Sequence, residues 1–320
     1  MAQDQPERLR SFAISPDDNF SALGMIAFGD FIEIYSATST ARMQNLSGPD
    51  NSAASPIVIT QDRSIGSRNL IVARVLLQSC DLIDRLQWPE SRKTQVRRAL
   101  LSCKDALVAC NSIARRVLEQ DKAICDQLRV YGVGDGGNSL HLPQVVSLNE
   151  EVSSYLIGLA RAVRSIYDVL HIILEMESRK KKNFDSLSKT LEAKFGIDFV
   201  LLKYVNEHAS RVREIISMRN YDEHPGGDGN FTVVRNFHVE GKRIKAPTWH
   251  LHGKISTEPK RIADDMVELV QFVSRLAETS VILAVDAIIK APWVIVRIPP
   301  EHISADWPIA VRMTIEQQRF

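Results

Sequence analysis

The residues of this chain whose types and spacing could do chemistry together are Arg219 and His224, in the run Arg219-Asn-Tyr-Asp-Glu-His224-Pro225. Arginine stays charged and grips phosphate through two parallel N–H bonds. Histidine titrates near neutrality and can take or give a proton. Arg219 falls four residues after Ile215 and continues the stripe Leu201, Val205, His208, Val212 and Ile215. A guanidinium on a buried stripe needs a partner, a cleft or a subunit interface. His224 follows five residues later, ~140° round and ~7.5 Å along a helix axis. Pro225 disfavours helical geometry at residue 224, which frees the imidazole to turn back towards Arg219. Asp222 and Glu223 oppose phosphate binding there unless both point away.

Other residues could bind rather than react. Arg179, Lys180, Lys181 and Lys182 end a predicted helix, where cations suit the exposed carbonyls, and the same four side chains are candidates for RNA phosphate contact. Trp249-His250-Leu-His252 puts two imidazoles on one face of a predicted strand, and His238 on the neighbouring strand could be a third metal ligand. Surface histidines on a hairpin are the commoner case, so no metal or other cofactor is expected. The same hairpin could instead present Trp249 to an RNA base. Gly132-Val-Gly-Asp-Gly-Gly137 matches a dinucleotide fingerprint in letters, but it follows a helix instead of a strand and reads as a connector. His208 lies on an apolar face and reads as a core residue.

Long helices must position these groups. Apolar residues at spacings of three and four predict helices over Asn69–Leu86, Ser91–Arg129, about Asn149–Ile173 and Glu258–Lys290. Cys103 and Cys110 fall on one such stripe and read as core packing. A short helix covers Asn183–Phe195 and closes at Gly196, and Asp198 caps the helix that carries Arg219. After Pro225-Gly-Gly-Asp-Gly the period becomes two. Asn230–Glu240 and Ala246–Gly253, joined by Gly241-Lys-Arg, predict an inserted β-hairpin. Trp293–Ile298 and Ile309–Thr314 predict short strands that could pair with the hairpin or with the N-terminal segment. Met25–Tyr35 is either a strand pair or a helix, and Ser47–Pro56 is a loop or linker. The expected organisation is an N-terminal extension over residues 1–64, a helical bundle over 65–290 with its hairpin insertion near 226–256, and a C-terminal β tail over 291–320.

Arg219-Asn-Tyr-Asp-Glu-His224, late on a long helix of a bundle, resembles the R-x4-6-H signature of the HEPN superfamily, with the polar residue that family favours directly after the arginine. The resemblance spans roughly Arg68–Lys290 in architecture and six residues in motif. It implies a mainly α fold, a HEPN-like bundle of four to five helices carrying an inserted β-hairpin and short terminal β segments. It also implies a metal-independent endoribonuclease with two copies of the motif facing each other across a homodimer. Arg219 would stabilise the phosphate and the transition state, His224 would be the acid or base, and Asn220 would orient the pair. Such proteins serve as toxins or defence effectors, which implies an RNA substrate and an antitoxin or regulatory partner. The alternative is a non-catalytic HEPN-like protein that dimerises or holds a partner.

The formal net charge of +1 argues against coating nucleic acid by charge alone. The distribution is uneven. Residues 1–64 hold eight acidic and four basic residues, whereas 178–260 hold sixteen basic and ten acidic. A locally basic middle can attract a polyanion. No apolar run approaches the ~18 residues of a membrane span, the start lacks a secretory pattern, and the four cysteines have no metal-type spacing. A cytoplasmic protein without membrane contact is expected.

Overall fold

The computed structural model describes residues 21–45, 57–63, 65–131, 142–176, 183–224, 229–241 and 243–316. The chain divides into two compact units, residues 1–69 with 304–308, and residues 70–303 with 309–320. The C-terminal tail, expected as one segment over 291–320, is shared between the units. The linker Ser47–Pro56, the glycine run 132–137 and the four cations Arg179, Lys180, Lys181 and Lys182 lie outside the described residues.

In the first unit, β1 (Gly24–Ala27), β2 (Phe31–Tyr35), β3 (Thr40–Asn45) and β4 (Ile57–Arg63) form an antiparallel meander in that order. Met25–Tyr35 is therefore a strand pair. A two-residue turn at Gly29-Asp30 joins its strands, with Gly29 at φ +98, a conformation that glycine adopts without steric cost. Glu33 of β2 is fully buried, and the hydroxyl of Tyr35 and the guanidinium of Arg42 (3.0 Å) donate to its carboxylate. Arg42 also covers the ring of Phe31 at 4.3 Å. A buried carboxylate is tolerated only with partners of this kind.

The second unit is mainly α. A π-helical turn, Ile71–Leu77, runs into α1 (Gln78–Asp84), followed by α2 (Glu90–Tyr131), α3 (Leu148–Ile173), α4 (Phe184–Phe195), α5 (Val200–Glu223) and α6 (Ile262–Asp286). All six predicted helices are present. Leu100 and Leu107 of α2, Leu156, Leu159 and Leu170 of α3, Leu201 and Val205 of α5, and Leu269 and Val273 of α6 are at most 1 % exposed. Each such side chain contributes ~1.5–3 kcal/mol of burial. Cys103 and Cys110 are buried and donate to the carbonyls of Ala162 and Tyr155 across the α2–α3 interface. Burial pushes both thiols up to about 12, so they stay protonated. The helices approach closely at Gly158, where a Cβ would stand 2.7 Å from the Cys110 Sγ. Among the described residues no helix is long and apolar enough to cross a membrane.

The helix starts differ from expectation. Ser147, with φ +51, precedes α3 in place of Asn149, and Phe199 precedes α5, neither with a side-chain cap. Asp198 instead pairs with Lys203 at 3.0 Å. Asn183 forms a reciprocal capping box with Ser186 at the start of α4.

The inserted hairpin is real and interrupted. β5 (Phe231–Arg235) pairs with β8 (Thr248–His252), and β6 (His238–Glu240) with β7 (Arg243–Lys245), in one continuous register that begins its turn at Gly241. The break at Asn236-Phe237 has a reason. The Asn236 side chain leaves the ladder and bonds both backbone groups of Val145, 3.1 and 2.9 Å, tying the insertion to the segment before α3. β9 (Lys260–Arg261) adds to β8. Among the described residues the strands after α6, β10 (Trp293–Arg297) and β11 (Val311–Ile315), form a two-stranded sheet with each other.

Candidate functional site

The C-terminal turns of α5 carry the motif. Its buried stripe runs Leu201, Val205, Ala209, Val212, Ile215 and then Met218. The last step is three residues, not four, so Met218 closes the buried face and Arg219 lies beside it, with its side chain 21 % exposed. His208 is likewise one position off the stripe. It is half-buried and packs edge-on against Tyr204 and Phe272, with ring centroids 4.5 and 5.6 Å away. The reading of His208 as a packing residue agrees with these contacts.

Arg219 makes two local contacts. One terminal nitrogen donates to the Asn220 Oδ1 at 3.1 Å, and the other is in an ion pair with Glu223 one turn on. Such i,i+4 pairs face each other on a helix surface. Asn220 thus touches the guanidinium it is expected to orient. The negative charge beside the motif, however, does not point away, because Glu223 turns onto Arg219. His224 ends the helix with φ −127 and ψ 62, a non-helical conformation as expected of a residue before proline, and its N–H donates to the Asn220 carbonyl at 3.0 Å. Its side chain is exposed. Among the described residues no hydrogen bond joins the guanidinium to the imidazole. Arg219, Asn220 and His224 thus share one helix end, linked through Asn220.

The helix end is held from below. The Thr232 hydroxyl of β5 donates to the Met218 carbonyl at 2.8 Å, anchoring the hairpin to α5. Beside it, Asn220 lines a small cleft of about 210 Å³ between α3, α4 and α5, together with Arg164, Tyr167, Asn183, Asp185 and Arg213. Arg213 pairs with Asp185 at 3.3 Å.

Of the residues expected to contact RNA, Arg179, Lys180, Lys181 and Lys182 lie outside the described residues. Trp249 takes a role other than the one expected of it. Trp249 is 1 % exposed, and its indole N–H donates to Asp265 of α6 at 2.8 Å. A ring enclosed in this way offers no face to an RNA base, so Trp249 is corrected from a stacking residue to a core anchor. Asp265 also accepts from Arg211 at 2.8 Å, and Arg211 and Lys260 in turn bond Glu214 at 2.6 and 2.8 Å. Burial alone would raise the Glu214 carboxyl. The bonds from Lys260 and Arg211 outweigh it and hold the group below its ordinary value.

The three histidines are not assembled into a metal constellation. The register sets His238 opposite Lys245 in β6–β7, whereas His250 and His252 stand opposite Val233 and Phe231 in β5–β8. His252 stacks on Phe231 with the rings 5.3 Å apart, and the His238 Nδ1 bonds the Asn236 carbonyl at 2.9 Å. Burial, with Arg235 and His252 nearby, pushes the His250 imidazole down, towards its neutral form. Among the described residues no group of three or more candidate ligands is placed to hold a metal.

Two contacts at these sites go beyond the sequence reading. The Arg219–Glu223 pair has a legible i,i+4 spacing that signals it. The coupling of Trp249 to Asp265 has no such signal, because the two residues meet only when the hairpin lies on α6. Compared with protein-family models, with curated proteins and with solved structures, the chain finds no match.

Proposed function

We propose that this chain is a metal-independent endoribonuclease of the HEPN kind, acting as a homodimer that joins two α5 ends in one cleft. The observation that carries the reading is the single helix terminus shared by Arg219, Asn220 and an exposed, non-helical His224. In this reaction the ribose 2′-oxygen attacks the adjacent phosphorus. A base takes the 2′-OH proton, the bond to the 5′ oxygen breaks, and an acid supplies that oxygen with a proton. One histidine from each subunit would carry the two proton transfers. Arg219 would hold the non-bridging oxygens, and Asn220 would keep the guanidinium aimed. The products are a 2′,3′-cyclic phosphate and a 5′-hydroxyl. A toxin or defence role, with a regulatory partner, fits this chemistry.

A second reading is favoured by one contact. Glu223 occupies Arg219, so phosphate must displace a carboxylate first. In a non-catalytic HEPN-like protein the pair would stay closed and the bundle would serve only to dimerise or bind a partner. The deciding experiment is cleavage of total RNA in EDTA by wild type, Arg219→Ala, His224→Ala and Glu223→Gln. The ribonuclease reading expects cyclic-phosphate ends from wild type and none from the first two variants. It also expects Glu223→Gln to cleave faster, by up to ~5-fold, since a half-exposed ion pair is worth at most ~1 kcal/mol. Cleavage that persists without Arg219 and His224 would remove them from the site. A dimeric wild type that cleaves no RNA would favour the binding protein.

A further inference from the structure

We propose that a groove in the helical unit, remote in sequence from Arg219 and His224, binds the base and phosphate of a nucleotide unit. It has a volume of about 750 Å³, within the ~300–1,000 Å³ of small-molecule sites. Its walls are the turn between α1 and α2, the C-terminal end of α3, the end of α4 and the segment leading into β10.

Its chemistry is aromatic and cationic. Trp88, Phe195 and Trp293 line it, each half-buried, above an apolar floor that includes Leu86 and Met313. Four cations line it as well, Arg85, Arg92, Lys194 and Lys290, against Glu175 as the carboxylate of the lining. Some of that charge is committed. Arg85 pairs with Asp81 (3.3 Å). Arg92 lies 3.7 Å over Trp88, pairs with Glu175 and donates to the carbonyls of Ile172 and Ile173. Lys194 donates to the carbonyls of Leu174 and Glu175 at 2.6 and 2.8 Å. Neutral carbonyls do not cancel an ammonium charge. Lys194 and Lys290 therefore have no carboxylate partner among the described residues, and positive charge is left over at the lip.

The backbone marks the same place. Glu175 sits just past α3 with φ +48, in the left-handed region where glycine is the usual residue. A non-glycine side chain there carries a steric cost. The carboxylate retained at that cost is the one that locks Arg92 against Trp88. The same residue closes α3, the Met176 N–H donating to the His171 carbonyl at 3.0 Å and the Glu175 N–H to the Ile172 carbonyl at 3.4 Å.

A groove that holds Trp293 and the other face of Trp88 together with two cations lacking a carboxylate partner suits a ligand with a flat π-system and a negative group. A nucleobase stacks on an aromatic ring whatever its sequence, and its phosphate meets the ammonium groups. The unit could come from a free nucleotide or from a single RNA strand, and the two are separable by experiment.

The test is calorimetric titration of the full chain with ATP and, separately, with a ten-nucleotide oligo(A) at low salt. It is repeated on Lys290→Glu and Trp293→Ala, with melting curves to check the fold. Lys290 is exposed, so reversing its charge leaves the core untouched. Saturable binding by wild type is expected, weakened at least tenfold in both variants. Binding of ATP assigns a free nucleotide, and binding of the oligomer alone assigns a strand. No binding of either probe, or equal affinity in wild type and the two groove variants, would overturn the proposal.

Discussion

Replacing Trp249 with phenylalanine removes one hydrogen-bond donor and part of one ring from a site that is almost wholly closed. The indole N–H that bonds Asp265 at 2.8 Å is lost, and its acceptor is a carboxylate only 5 % exposed. A bond to a charged acceptor contributes ~1.5–3 kcal/mol, with little screening at this depth. The smaller ring leaves on the order of 40 Å³ unfilled, which at ~24 cal/mol per Å³ adds ~1 kcal/mol. The expected loss is thus ~2.5–4 kcal/mol. For a unit of this size that lowers the melting temperature by roughly 10 °C. Urea and thermal unfolding of the full chain, followed by circular dichroism, measure it. A double-mutant cycle with Asp265→Ala should return a coupling of at least ~1 kcal/mol, because the two groups are direct partners. A loss below ~1 kcal/mol, or strict additivity, would refute the placement of the indole in the core. If RNA affinity fell while stability held, Trp249 would be a surface stacking residue after all.

Two further predictions concern the charges that hold the hairpin and α6. The Glu214 carboxyl is held low by Lys260 and Arg211, so its contribution is present above the ordinary glutamate pKa of ~4.3 and is lost as pH falls through the lower folded value. Urea midpoints should therefore be lower for Glu214→Gln than for wild type at pH 7, with the gap closing below about pH 4; a gap independent of pH would contradict the assignment. Asp121 of α2 is fully buried, pairs with Arg261 through one carboxyl oxygen and has no hydrogen-bond partner on the other among the described residues. Arg261→Ala should cost ~3 kcal/mol by stranding that charge, and adding Asp121→Asn should recover most of it. If the double variant is no more stable than the single one, the pair is not what the position depends on.

Much of the helical unit is legible in the amino-acid sequence. Every predicted helix is present, because a 3.6-residue apolar period is a local record of which face is buried, as in Val152, Leu156, Leu159, Val163 and Ile166 of α3. The hairpin itself is legible too, but its turn is shorter than the Gly241-Lys-Arg expected, because Arg243 already pairs with Glu240, and that register was set by the folded ladder. The candidate pair Arg219 and His224 and the helix end that Pro225 enforces are legible as well. Long-range partners are where sequence reading stops. A stripe alone cannot say whether it closes on Met218 or Arg219, because steps of three and four both keep to one face, and only packing selects between them. A tryptophan on a strand reads the same whether its face meets solvent or α6, and Asp265, sixteen residues on, made Trp249 a core residue. The tail strands had two candidate partners by composition, and among the described residues tertiary structure pairs β10 with β11. Local periodicity encodes which residues must be buried. What they are buried against, and which charge answers Arg219, is decided only when distant segments meet.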